Sequence, residues 1–552
     1  MRNRSIDRMM SYSNPSHIYY PVPNFAAHIN QMERTEQFKT HITEGYTFMN
    51  DSITLGGAIL DGKPMVECHV KIPLKTLNRH GLIAGATGTG KTVTLQIIAE
   101  NMAAKGIPVL MMDLKGDLSG IAAPGVSNVK IEERHLAIGI PYVAGGSSVE
   151  LMSLSKERGV RLRATVSEFG PVLFSKILEL NDVQGGIVAI IFKFSDDNNL
   201  PLLDLKDFKR MLQFSTGEGK EEIEKTYGKI SESSVGTILR KVIELETQGA
   251  EVFFGEKSFE VSDLIRTDQQ GRGIINIVRL TDIQDKPKLF STFMLQILAE
   301  IYNSFPEAGD LDKPKLCVFI DEAHLIFNEA SKALHNQIES IIKLIRSKGI
   351  GIFFCTQNPY DIPEDVLAQL GLKVQHALCA FTEKDRKAIR KTAENYPISE
   401  FYKTEDLLTS IGIGEALITA LNEKGIPTPL AATHLRAPMS RMGILTQEEL
   451  ERVHSSSMLG IKYNEAIDRA SAYEILEAKL KNAKAESEEE EVEVKTKART
   501  SKEKEEPSVA EKLSKNTMVR QVGNTVMREL ARGLLGVLGL GGKTSRSKKS
   551  LF

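Results

Sequence analysis

Six short runs of almost uniformly apolar residues recur along the chain, at 80–84, 107–112, 274–280, 316–320, 350–355 and 374–381, with helix-like periodicity between most of them. Runs of this kind predict strands buried on both faces, as in a parallel sheet covered by helices, so the expected class is α/β with a mainly parallel sheet. Ahead of them, Ile53-Thr54-Leu55, Ala58-Ile59-Leu60, the turn Asp61-Gly62 and the run from Met65 to Leu74 predict a short two-strand element preceding the main domain. Beyond them, 416–421 and 429–435 flank Asn422-Glu423-Lys424-Gly425 and predict a hairpin that closes an edge of the sheet.

The texture changes between the second and third runs. Apolar residues at spacings of three and four over 167–180, 204–212 and 235–246 predict a helical insertion over 156–270, which divides the sheet domain into 51–155 and 271–445. Residues 1–50 carry weak periodicity and read as an irregular or partly ordered arm. A helical extension is expected over 446–484, with one amphipathic helix at 461–480. The Glu, Lys, Ser and Thr of 485–510 cannot bury enough apolar surface to fold and predict a charged, disordered linker. In 511–552, Val519, Val522, Val526, Leu530, Leu534 and Leu538 share one helical face ahead of Lys543, Arg546, Lys548 and Lys549. That tethered helix suits docking on the body or on a neighbouring subunit; contact with a membrane surface or nucleic acid is the alternative.

Composition narrows the class without fixing it. Apolar residues make up 41% and charged residues 26% of the 552, which excludes collagen-like, wholly disordered and membrane-embedded chains. Lys plus Arg number 70 against 72 Asp plus Glu, so any polyanion site has to be a local patch. Cys68, Cys317, Cys355 and Cys379 have no metal-like or CxxC spacing and predict reduced thiols in a cytoplasmic protein. The first 20 residues lack an apolar signal core, and no run approaches the length of a spanning helix, so no integral membrane association is expected.

The sharpest chemical signal is Gly85-Ala86-Thr87-Gly88-Thr89-Gly90-Lys91-Thr92, which fits G-x-x-x-x-G-K-[ST] between a strand and a helix. Backbone N–H groups and the positive helix end would converge there on phosphate, so Gly85 to Thr92 together with Val93 are the expected nucleotide-binding residues. Lys91 would reach the β and γ phosphates of ATP, and the Thr92 hydroxyl would sit on Mg²⁺. In Leu316-Cys317-Val318-Phe319-Ile320-Asp321-Glu322 a buried strand ends in two acids. Asp321 is the expected Mg²⁺ anchor and Glu322 the base that polarises water. Gln357, at the tip of another apolar run, suits a γ-phosphate sensor if its strand lies between the other two. Arg346 ends a helix just before that strand, where a guanidinium either satisfies the helix C-terminus or enters a neighbouring subunit's site. Asp113 and Asp117 follow the second strand and suit either the metal or a turn. Asp321-Glu322-Ala323-His324 imitates a DEAH box, but no arginine-rich helicase motif follows, so His324 reads as a supporting or packing residue.

Four segments carry a resemblance: Asn78-Arg79-His80-Gly81-Leu82-Ile83-Ala84 leading into the glycine loop, Asp113-Leu114-Lys115-Gly116-Asp117, Phe319-Ile320-Asp321-Glu322-Ala323-His324, and 346–357. In combination they resemble the HerA/FtsK superfamily of P-loop motor ATPases, in its HerA-like, YjgR-type bacterial branch, over 50–445. The resemblance implies a RecA-like sheet with an inserted helical bundle, assembled as a homo-hexameric ring. ATP would lie between subunits, with Lys91, Thr92, Asp321, Glu322 and Gln357 on one side and Arg346 offered in trans. Arg436 or Arg441 would add a second cation. Relatives of this kind act on double-stranded DNA. Archaeal HerA proteins begin with a nuclease-recruiting β-barrel where this chain has only the short element at 52–74, so the resemblance does not extend to a nuclease partner. Three activities follow: a DNA translocase or helicase-like ring motor, a nucleotide-gated scaffold acting on a protein partner without DNA, and a monomeric DEAH-type helicase.

Overall fold

The computed structural model describes residues 25–485 apart from 329–331, 466, 468, 483 and 484. Twelve strands form one sheet: β1 (Ser52–Leu60), β2 (Lys63–Pro73), β3 (Gly81–Ala84), β4 (Val109–Asp113), β5 (Val149–Ser153), β6 (Val160–Arg161), β7 (Ile275–Arg279), β8 (Leu316–Ile320), β9 (Ile350–Thr356), β10 (Leu372–Gln375), β11 (Glu415–Thr419) and β12 (Ala431–Leu435). Their order is β2-β1-β12-β11-β10-β3-β9-β8-β4-β7-β5-β6. From β10 to β6 every pairing is parallel, and from β10 to β2 every pairing is antiparallel.

The apolar runs form strands because both faces are covered. Leu82, Leu110, Met112, Val318 and Ile320 pack into a core on one face, while Ile83, Val109, Met111, Cys317 and Phe319 pack into a core on the other. At roughly 25 cal/mol per Å² of apolar surface, this two-sided burial is the main stabilising contribution to the sheet. The first face carries helices Val166–Ile177, Asp182–Asp197, Leu205–Thr216, Lys220–Tyr227 and Glu232–Thr247, joined around Phe169, Phe174, Phe192, Phe208, Phe253 and Phe254. The second face carries helix α1 (Phe25–Gly45) and helix α2 (Lys91–Ala104).

Several expectations are corrected. The arm is a helix from residue 25, because Phe38 and Ile42, four apart, and then Tyr46 bury one stripe against the sheet. The two-strand element belongs to the main sheet: β1 pairs with β12, so the β11–β12 hairpin lies inside the sheet and β2 forms its edge. The last apolar run is a strand only at Leu372–Gln375, earlier than its apolar stretch suggested, and residues 376–381 leave the sheet. Strands β5 and β6 were not expected, and β6 falls within 156–270. The 461–480 helix is broken: Met458–Tyr463 ends at Asn464, and a second helical stretch occupies 472–482. The linker and C-terminal helix expected over 485–552 lie beyond residue 485, outside the described residues. Among the described residues no helix is long and apolar enough to cross a membrane.

Candidate nucleotide site

The glycine loop leaves β3 at the carboxyl edge of the sheet and enters α2, which starts at Lys91 without a side-chain cap, so its first N–H groups face the loop. Gly90 holds φ 111°, and a Cβ at Gly85 would stand 2.5 Å from the His376 Cβ, so both positions favour glycine. Neighbouring strands pin the loop. Gly85 N–H donates to the Thr356 carbonyl at 3.3 Å, Ala86 N–H to that of Ala377 at 2.9 Å, and the Thr89 hydroxyl to that of Ala86 at 2.8 Å. Thr87 and Gly88 form the exposed crest, with Thr92 and Val93 half-buried behind them. Lys91 is buried, and its Nζ donates to the Gly85 and Ala86 carbonyls at 2.8 and 3.1 Å. Burial lowers its proton affinity.

Parallel register brings the other groups to the same edge. Ala84 pairs with Thr356 and Ile320 with Phe354, so Gln357 extends beside Gly85 while Asp321 and Glu322 extend from β8. β9 lies between β3 and β8, which meets the condition set for Gln357; that side chain is exposed at the strand tip. Asp321 and Glu322 are buried, at 2% and 8% exposure. Burial raises the Asp321 pKa and Glu322 raises it further, while Lys115 opposes both. The Lys115 Nζ lies 2.5 Å from Glu322 Oε1 and 3.8 Å from Asp321 Oδ2, and His324 Nδ1 lies 3.2 Å from Glu322 Oε2. Glu322 has φ 48°, a left-handed conformation that a non-glycine residue adopts only at a cost.

These residues fit a magnesium ion held jointly with a nucleotide. Asp321 Oδ2 is buried and accepts no hydrogen bond. A single carboxylate with a threonine hydroxyl is a partial donor set, suited to an ion that keeps waters and phosphate oxygens as its other ligands. Among the described residues no cluster of three His, Cys, Asp or Glu could hold a metal by itself.

Asp113 makes a turn: its carboxylate accepts N–H bonds from Gly116, Asp117 and Leu118, and burial followed by the charge of Asp117 raises its pKa to about 7. Asp117 is half-buried, and desolvation raises its pKa as well. Sequence reasoning quoted Lys115 within 113–117 but gave it no role, because only the acids of that segment pointed to metal or turn chemistry. It also missed His376, whose Nε2 lies 2.9 Å from the Thr94 hydroxyl on α2 and whose pKa burial pushes down to about 4. Inside an apolar run nothing set that histidine apart.

Arg346 stands elsewhere. It begins the turn Arg346–Lys348 before β9, at the amino edge of the sheet, a strand length of roughly 20 Å from the glycine loop. Its side chain is exposed and lines a cavity of about 710 Å³ with Lys75, Arg79, Asp310, Lys343 and Lys424. Arg346 also lowers the proton affinity of Arg79, after burial. Neither cation proposed as a supplement faces this chain's own loop. Both Nη atoms of Arg441 bind the Glu449 carboxylate at 2.8 and 2.9 Å, and Arg436 Nη1 donates to Asn101, near the far end of α2, at 3.4 Å.

The model of the family described as helicase HerA-like C-terminal matches residues 59–545. The chain belongs to this family. As a HerA-like chain with a P-loop on a mainly parallel sheet, it is an ATP-hydrolysing enzyme of the α/β class. It is 23% identical over 397 residues to the DNA double-strand break repair helicase HerA of Sulfolobus acidocaldarius, covering 71% of this chain and 72% of the relative. It is 25% identical over 386 residues to the DNA import protein CedB of the same organism, covering 70% and 56%. Among solved structures, the bacterial conjugative coupling protein TrwBΔN70 is similar at 13% identity with a TM-score of 0.47, covering 74% of this chain and 94% of that one.

Proposed function

We propose that this HerA-like ATPase is a motor that couples ATP hydrolysis to movement on double-stranded DNA, assembled as a homo-hexamer with each nucleotide between two copies. The observation that carries the shared site is the placement of Arg346: an exposed guanidinium at the amino edge of a sheet whose glycine loop and acids occupy the carboxyl edge. A stacked second copy brings the two edges together. The DNA substrate is supported by the relatives, named as a break-repair helicase and a DNA import protein. The buried Cys68, Cys317 and Cys355 are free thiols, in keeping with the cytoplasmic location proposed for the motor.

The residues divide the work. The loop from Gly85 to Gly90, with the first turn of α2 through Val93, holds the phosphates by backbone N–H groups. Lys91 exchanges its two carbonyl acceptors for the β and γ phosphates. Thr92 and Asp321 would hold Mg²⁺, which when bound would neutralise phosphate charge. Glu322 accepts a proton from the water that attacks the γ-phosphorus as the bond to the leaving ADP oxygen breaks, which requires it to give up Lys115 for that water. Gln357 orients the water, and the neighbour's Arg346 balances the charge that develops. The deciding experiment is steady-state hydrolysis with and without linear duplex DNA at low and moderate salt, with Glu322→Gln as the inactive control. Stimulation that fades with salt supports the DNA motor. Turnover that needs Glu322 but ignores DNA transfers the assignment to a scaffold acting on a protein partner.

A further inference from the structure

The catalytic groups define which way a nucleotide must lie. Asp321, Glu322 and Gln357 extend from β8 and β9, on one side of the loop that follows β3. The γ-phosphate therefore points to that side, and the nucleoside leaves over the start of α2 toward the other, where β10 and β11 lie. The turn that begins β11 stands there, and it is tied to the loop: Gly414 N–H donates to the Thr89 carbonyl at 3.1 Å. A Cβ built on Gly90 would stand only 3.4 Å from that same Gly414 nitrogen.

This turn is rigid, and its tip is apolar. The Arg134 guanidinium donates to the Gly414 and Leu435 carbonyls at 3.1 and 2.9 Å and to that of Ile413 at 3.3 Å. The Glu415 carboxylate accepts the Gly412 N–H at 2.8 Å and contacts His434 Nδ1 at 3.0 Å. Ile413, held by this bracing, is 76% exposed. An exposed apolar side chain on a braced turn whose next residue, Gly414, bonds to the phosphate loop offers a surface for a flat, weakly polar ring.

We propose that Ile413 is the platform on which the nucleobase of the bound nucleoside triphosphate packs, with Arg134 as the residue that positions it. This rests on the assignment of 85–92 as the phosphate loop. The platform supplies apolar contact without hydrogen bonds, so it adds affinity for either purine and leaves the chemical step alone.

The test uses the full chain and compares ATP with inorganic tripolyphosphate, which has phosphates but no base. Ile413→Asp is expected to raise the KM and Kd for ATP about tenfold while kcat stays within about twofold and inhibition by tripolyphosphate is unchanged. Ile413→Leu keeps wild-type values, and Ile413→Ala falls between. Unchanged ATP affinity in Ile413→Asp would overturn the proposal. So would an equal loss of tripolyphosphate binding, which would make the turn a brace for the loop, or a loss of assembly with ATP binding intact, which would make Ile413 a contact between copies. Lys91→Ala separates the two levels: if that variant still binds tripolyphosphate, the phosphate-loop assignment itself fails whatever Ile413 shows.

Discussion

The carboxyl and amino edges of the sheet differ in how complete each is within one copy of the chain. At the carboxyl edge most of the groups are held within the chain: Lys91 on the loop carbonyls, Glu322 beside Lys115, and the loop pinned by β9, the segment after β10 and the turn before β11, while Asp321 keeps one buried oxygen without a hydrogen bond. At the amino edge Arg346 is exposed beside Arg79, a like charge that it disfavours. One edge gathers the glycine loop, a lysine and two buried acids, whereas the other presents Arg346 and Arg79 about a strand length away. A reaction that uses both must join two copies.

Experiments can break this contrast, starting with the largest effect. Lys91→Ala and Glu322→Gln should each reduce turnover on the order of a thousandfold. They should separate in binding, since Glu322→Gln keeps its affinity for ATP in an equilibrium titration while Lys91→Ala loses it. Arg346→Ala should lower kcat about a hundredfold with little change in ATP affinity. Mixed with Lys91→Ala it should recover activity, because the Lys91→Ala copies supply an intact arginine to intact loops; no recovery on mixing would place Arg346 outside the site. Lys115→Met should cost about threefold at neutral pH and move the acid limb of the pH–rate profile. Asp321 already has its pKa raised by burial, and Lys115 holds it down, so removing that cation raises it further. A carboxyl with a higher pKa stays protonated to higher pH, so the limb moves in the alkaline direction; a shift toward acid would contradict the ion pair. The smallest effect belongs to Arg441→Ala, which should leave turnover within about twofold, since its guanidinium is already committed to Glu449.

What the sequence made legible follows the physics of each signal. Strands β3, β4, β7, β8, β9 and β10 were readable because burial on both faces imposes an unbroken apolar run, and the glycine loop because phosphate binding demands glycines at fixed spacing, whereas parallel β5 carries Glu150 inside its short run and was not. Helix α1 was not, since one stripe through Phe38, Ile42 and Tyr46 is thin against many polar neighbours. Strand β6 has two residues, too few for any periodicity. The position of β1 between β12 and β2 depends on contacts between distant parts of the chain, and neither segment records its partner. Lys115, His376 and Ile413 were silent for a related reason: their roles come from what they stand beside in space, while in sequence they are an ordinary lysine, a histidine in an apolar run and one isoleucine among many.

The pairing of Gly56 with Leu435 and of Ala58 with Thr433 sets an order of events during synthesis. The β1–β2 hairpin leaves the ribosome early, but one of its edges finds its partner only when nearly the whole ATPase has been made. Until then the nascent chain holds an unsatisfied row of backbone donors and acceptors, a template for pairing with other chains. Joining elements so far apart in sequence is entropically slow. The seam that joins β1 to the rest of the sheet can therefore close only after β12 has been made.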